Sequence, residues 1–68
     1  MNRNTLRKAR AESAKKPGLY IVVAPICKRV YNVIHCRTKD TAIYHYKSAI
    51  KRGQQPIMVR DGKVCVAA

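Results

Sequence analysis

Leu19-Tyr20-Ile21-Val22-Val23-Ala24-Pro25-Ile26 is rich in β-branched side chains and follows Pro17-Gly18, so it reads as a strand that begins just after a turn. Pro25 has no N–H to give to a ladder, which places it near the end of that strand or on a sheet edge. A short basic turn around Cys27, Lys28 and Arg29 leads to a second strand over residues 30–37, and a hairpin is the natural connection.

Working outward, Thr38 or Asp40 is placed to cap a helix that runs to about Arg52. Ala42, Ile43, Tyr46, Ala49 and Ile50 recur at helical spacing and give it one apolar face. Lys51 and Arg52 complement the negative end of the helix, and Gly53 suits the left-handed residue that follows. Residues 56–60 and 63–67 are short strands around Asp61-Gly62, the favoured two-residue turn when both central positions need positive φ. The expected fold class is α+β: a small antiparallel sheet in β-β-α-β-β order, with one helix packed on one face.

A basic N-terminal arm precedes this body. Arg3, Arg7, Lys8, Arg10, Lys15 and Lys16 face only Glu12 there, and Leu6 is the only large aliphatic after Met1. Asn4 or Thr5 could cap a helix that Pro17-Gly18 stops, but Leu6, Ala9 and Ser13 make a weak apolar stripe. Residues 1–17 are therefore expected to be a flexible or partly helical arm, and residues 18–68 a single compact domain. On that expectation, removal of residues 2–16 leaves the body folded.

The chain has 68 residues and a formal net charge of +12, from fifteen Lys and Arg against Glu12, Asp40 and Asp61. So small a chain is one domain at most and has a modest core. Its charge exceeds what a solvated surface needs and points to an acidic partner: nucleic acid first, an acidic protein surface next, anionic lipid third. The arm lacks the apolar stretch of a secretion signal, and no apolar run approaches the roughly 18 residues of a membrane span. A cytoplasmic protein that does not engage membrane is expected.

Chemistry is sparsely represented. Cys27, Cys36 and Cys65 form no C-x-x-C pair and read as buried small hydrophobes. A zinc site from Cys36, Cys65, His35 and His45 would draw ligands from three elements without the usual short spacing, so no metal or other cofactor is expected. Asp40 and Asp61 are accounted for as a cap and a turn residue. His35 and Cys36 fall on opposite strand faces, and no phosphate loop can be built from three glycines. The chain does not read as an enzyme.

Binding surfaces are easier to find. Along the second strand Val30, Asn32, Ile34 and Cys36 point one way and suit the helix, while Tyr31, Val33, His35 and Arg37 point the other. No second helix is expected over that other face, so it would be partly open. Its aromatic, imidazole and guanidinium groups could stack bases and neutralise phosphates, with Tyr20 extending the platform. Alternatively Tyr31 and Val33 pack under the basic arm or in a homodimer. The helix has an outward set of Tyr44, His45, Lys47, Ser48, Lys51 and Arg52, and Lys28, Arg29, Arg60 and Lys63 lie near hairpin turns.

Val59-Arg60 followed by Val64-Cys65-Val66-Ala67, together with the order of elements over residues 19–68, resembles the small host-takeover proteins of lytic phages that inhibit bacterial RNA polymerase. The resemblance implies a phage-encoded protein that docks on an acidic face of a host protein such as RNA polymerase, with Arg60 as the residue that inherits the contact. The chain departs from that group in its strong positive charge, its arm and its Asp61-Gly62 turn. The leading expectation from the residues is a non-enzymatic module that engages DNA or RNA through phosphate contacts, with docking on a host protein as the alternative.

Overall fold

The computed structural model describes residues 3–27 and 30–67, with the side chains of Arg3 and Ala67 outside that description. The elements run α1 (Arg3–Lys15), β1 (Tyr20–Cys27), β2 (Val30–Cys36), α2 (Lys39–Lys51), β3 (Ile57–Arg60) and β4 (Lys63–Ala67). The four strands form one antiparallel sheet in the order β2-β1-β3-β4. The class is α+β as expected, but the order is α-β-β-α-β-β and a helix lies on each face of the sheet.

β1 explains why both faces are covered. Tyr20 and Val22 point to one side and pack with Cys36, Met58 and Ala42 of α2. Ile21 and Val23 point to the other and pack with Val59 and with Ala9 of α1. A strand that is apolar on both sides must be buried on both, since either face left wet would expose β-branched side chains to water. Pro25 is accommodated because β3 pairs with β1 only from Tyr20 to Val23, so Pro25 sits beyond the last ladder bond on that side. The β1–β2 pairing bulges between Pro25 and Cys27.

The segment expected to be a flexible or partly helical arm is a helix over Arg3–Lys15, and it packs on the sheet instead of standing free of it. Its inward face is small rather than greasy: Ala9 and Ser13 are buried and Leu6 half-buried. Alanine and serine let the helix approach closely, and polar contacts fix it there. Ser13 is fully buried. The Gly62 N–H donates to its Oγ at 2.9 Å, and its hydroxyl donates to the Arg10 carbonyl at 3.0 Å. Arg10 returns the tie, its Nε donating to the Gly62 carbonyl at 3.1 Å. Both polar groups of Gly62 are therefore held by α1. Gly62 also has φ +79°, which favours glycine, and a Cβ there would make a tight 3.1 Å contact with Ala14 Cβ.

α2 forms much as its pattern demands. Thr38 is the N-cap, its hydroxyl accepting from the Thr41 N–H at 3.3 Å, and Asp40 lies in the first turn. At the far end the Gln54 N–H bonds to the Ala49 carbonyl and the Gly53 N–H to the Ile50 carbonyl, a Schellman closure through Gly53 at φ +79°. Ala42 and Ala49 are buried, with Ile43 and Tyr46 packed beside them, but Ile50 is exposed rather than facing the core. Asp61 and Gly62 both have positive φ, as the β3–β4 turn requires.

Candidate nucleic-acid interface

α1 lies over part of the face of Tyr31, Val33, His35 and Arg37, where Val33, His35 and Arg37 stay exposed. Tyr31 is half-buried and packs into the α1-side cluster, which is the under-the-arm alternative for that residue. His35 Nε2 lies 3.1 Å from Glu12 Oε2 of α1, and this contact holds the Glu12 carboxyl below its ordinary pKa. Tyr20 does not extend the platform. It pairs with Cys36 in the ladder, points to the α2 side and is buried, with the Arg60 guanidinium 4.8 Å from its ring centroid. Val33 stays exposed at the β2 edge.

Positive charge is instead carried outward by the two helices. On α1, Ala9 and Ser13 fix the inner side, which leaves Arg7, Lys8 and Lys15 on the outer one. Lys8, Ala11 and Lys15 repeat at i, i+3 and i+7 and border a shallow surface depression with Glu12. On α2, Ala42 and Ala49 set the inner side, and Tyr44, Lys47 and Lys51 repeat at the same spacing on the outer one. All three are exposed, and Arg52 follows at the helix end. Tyr44 is 67% exposed, its ring meeting His45 edge-on at a centroid distance of 5.4 Å and 77°.

The remaining expected residues scatter. Lys16 and Arg37 come together across an open groove of about 350 Å³ lined also by Pro17, Gly18 and Leu19. Arg10 is exposed but bonded to Gly62. Arg60 sits over Tyr20 and 3.5 Å from Asp61, and Lys63 is exposed beside it across the ladder. Lys28 and Arg29 lie outside the described residues, as does the side chain of Arg3. Of the cysteines, Cys36 is buried and its thiol pKa is raised by desolvation, whereas Cys27 and Cys65 are exposed, contrary to the expectation that all three are core residues. Among the described residues no three His, Cys, Asp or Glu side chains are placed to hold a metal ion, and no helix is long and apolar enough to cross a membrane.

Little of the positive charge is neutralised within the fold. Among the described residues the ion pairs within 4 Å are His35–Glu12 and Arg60–Asp61, so Arg60 is the one Lys or Arg in such a pair. The sequence places Ser13 in a weak apolar stripe and gives Glu12 no partner, whereas in the structure both anchor α1. The signal that could have found α1's place is the two-sided apolarity of residues 20–24, which requires a second cover. No protein-family model matches the chain, and comparisons with curated proteins and with solved structures found no match either.

Proposed function

We propose that this protein is a non-enzymatic nucleic-acid-binding module that grips phosphates with the outer faces of α1 and α2. The observation that carries this is the unneutralised charge: Arg7, Lys8 and Lys15 on α1 and Lys47, Lys51 and Arg52 on α2 are exposed, while the three acids sit at a helix pair, a helix start and a turn. Lysines and arginines arrayed on a rigid helix displace condensed counterions when they meet a phosphate backbone, and the released ions drive binding. Few of these side chains are suited to base-edge readout, so sequence preference is modest. Such a module belongs in the cytoplasm, that of an infected host if the chain is phage-encoded.

The same charge suits an acidic face of a host protein such as bacterial RNA polymerase. Nucleic acid is the better reading because Arg60, the residue the phage resemblance nominates for that contact, already stacks on Tyr20 and pairs with Asp61. A pull-down from nuclease-treated lysate separates the two. Nucleic-acid binding predicts that captured material disappears with the nuclease, and a protein retained after it favours the host-protein reading.

A further inference from the structure

Among the described residues Tyr44 is the most exposed of the large hydrophobic side chains, with Asp40 one turn before it and two lysines after it on the same side of α2. Its ring meets His45 in an edge arrangement, with centroids 5.4 Å apart and planes at 77°, and still leaves the residue 67% exposed. Lys47 follows one turn along the same side of α2 and Lys51 two turns along, about 4.5 and 10.5 Å along the helix axis at a rise of 1.5 Å per residue. A flat, largely exposed ring, followed by two cations on one line, matches the repeating chemistry of a nucleic-acid strand: a base, then phosphates.

We propose that Tyr44 is a base-stacking platform and that the ligand of the α2 face is single-stranded nucleic acid, its bases on Tyr44 and its phosphates on Lys47 and Lys51. This rests on nucleic-acid binding through that face and adds which form of nucleic acid is bound. In a duplex the base faces are already stacked on one another and only edges are offered, so a protruding tyrosine face has nothing to pair with. In a single strand the faces are free, and stacking tolerates any base because every base has one. The position of the two helices on opposite faces of the sheet points the same way. A stiff duplex can lie along one basic helix, whereas a flexible strand can pass from one to the other.

The test compares three probes of equal length at low salt: oligothymidylate, an abasic deoxyribose-phosphate strand and a duplex. The wild-type protein should bind oligothymidylate about 5- to 150-fold more tightly than the abasic strand, the span expected when one base stacks on an aromatic side chain. Tyr44→Ala should abolish that preference and leave abasic-strand binding unchanged, with an unaltered melting curve because the side chain is mostly exposed. Tyr44→Trp should keep the preference. As the chain has no tryptophan of its own, the emission of that variant reports the site alone and should be quenched by oligothymidylate but not by the abasic strand. Equal affinity of the wild type for both strands, a preference that survives Tyr44→Ala, or duplex binding as tight as oligothymidylate binding would overturn the stacking platform while leaving phosphate binding intact. Failure to bind any probe would overturn phosphate binding and the platform with it.

Discussion

Removing residues 2–16 should unfold this protein, although the composition of the segment suggests that it is dispensable. Ile21, Val23 and Val59 are completely buried on the face that α1 covers, with Leu19, Tyr31 and Ile57 packed around them. Full burial of a Val or Ile side chain is worth about 1.5–3 kcal/mol, so the three core residues account for roughly 5–9 kcal/mol. If the helix supplies half of that cover, its loss costs about 2–5 kcal/mol before the Ser13, Arg10 and Gly62 hydrogen bonds are counted. At about 0.05–0.15 kcal/mol per residue, a chain of this length has roughly 3–10 kcal/mol in all. With those three hydrogen bonds added at about 1 kcal/mol each, the loss becomes comparable to that total. Far-UV circular dichroism during a thermal ramp, run on the full and truncated chains, measures this directly. The truncated chain should show no cooperative transition above room temperature. A sharp transition within a few degrees of the full chain would refute the view that α1 is a structural layer, and would restore the picture of a detachable arm.

Smaller perturbations of the same contact should grade accordingly. Ser13→Ala leaves the part-buried Gly62 N–H without its protein acceptor, a loss of about 1 kcal/mol, and the melting midpoint should fall by roughly 4–8 °C for each kcal/mol in a domain of this size. Gly62→Ala should destabilise more than Gly53→Ala: both residues have positive φ, but only at residue 62 does the new methyl meet a neighbour, Ala14 Cβ at 3.1 Å. Paired denaturant titrations decide the order, and equal losses would show that α1 does not press on the turn. Glu12, with its pKa lowered chiefly by the hydrogen bond to His35, contributes stability that is present above its ordinary pKa and is lost as the pH falls through the lowered one. Acid titration of Glu12→Gln against the wild type should show the two converging at low pH, and a gap that persists there would argue against this pair.

Much of the fold could be read from local chemistry. The capping threonine, the stripe from Ala42 to Ala49, the glycine after α2 and the Asp61-Gly62 turn each act over a few residues, and periodicity or turn geometry exposes them. α1 was harder because the reasons it packs are not local. Its inner face is built from Ala9 and Ser13, which score poorly as a hydrophobic stripe, yet small residues are what close approach to a flat sheet requires. Its principal anchor joins Ser13 to a turn 49 residues away, a pairing no window along the chain can show. The missing clue lay in β1, where residues 20–24 are buried without alternation. A strand of that kind calls for two covers, and among the described residues α1 is the second helix that can supply one. The candidate site shifted for the same reason. α1 packs beside Tyr31 and sets Glu12 against His35, so that face is partly occupied, and the basic side chains of residues 7–15 form the outside of a helix.

The measurement that most directly tests phosphate binding by the two helices is the affinity for a single strand as a function of salt, from about 50 mM to 200 mM. The proposed grip uses six exposed cations, Arg7, Lys8 and Lys15 on α1 and Lys47, Lys51 and the cap residue Arg52 on α2. At about 0.7 counterions released per phosphate contact on a single strand, engagement of one helix gives a log–log slope near −2 and of both a slope near −4. Charge-neutralising substitutions at Lys47, Lys51 and Arg52 together should flatten that slope by about 2 without altering the melting curve. A slope between −2 and −4 that flattens in this way is the predicted result. Binding indifferent to salt, or no binding at the lowest salt, would contradict it.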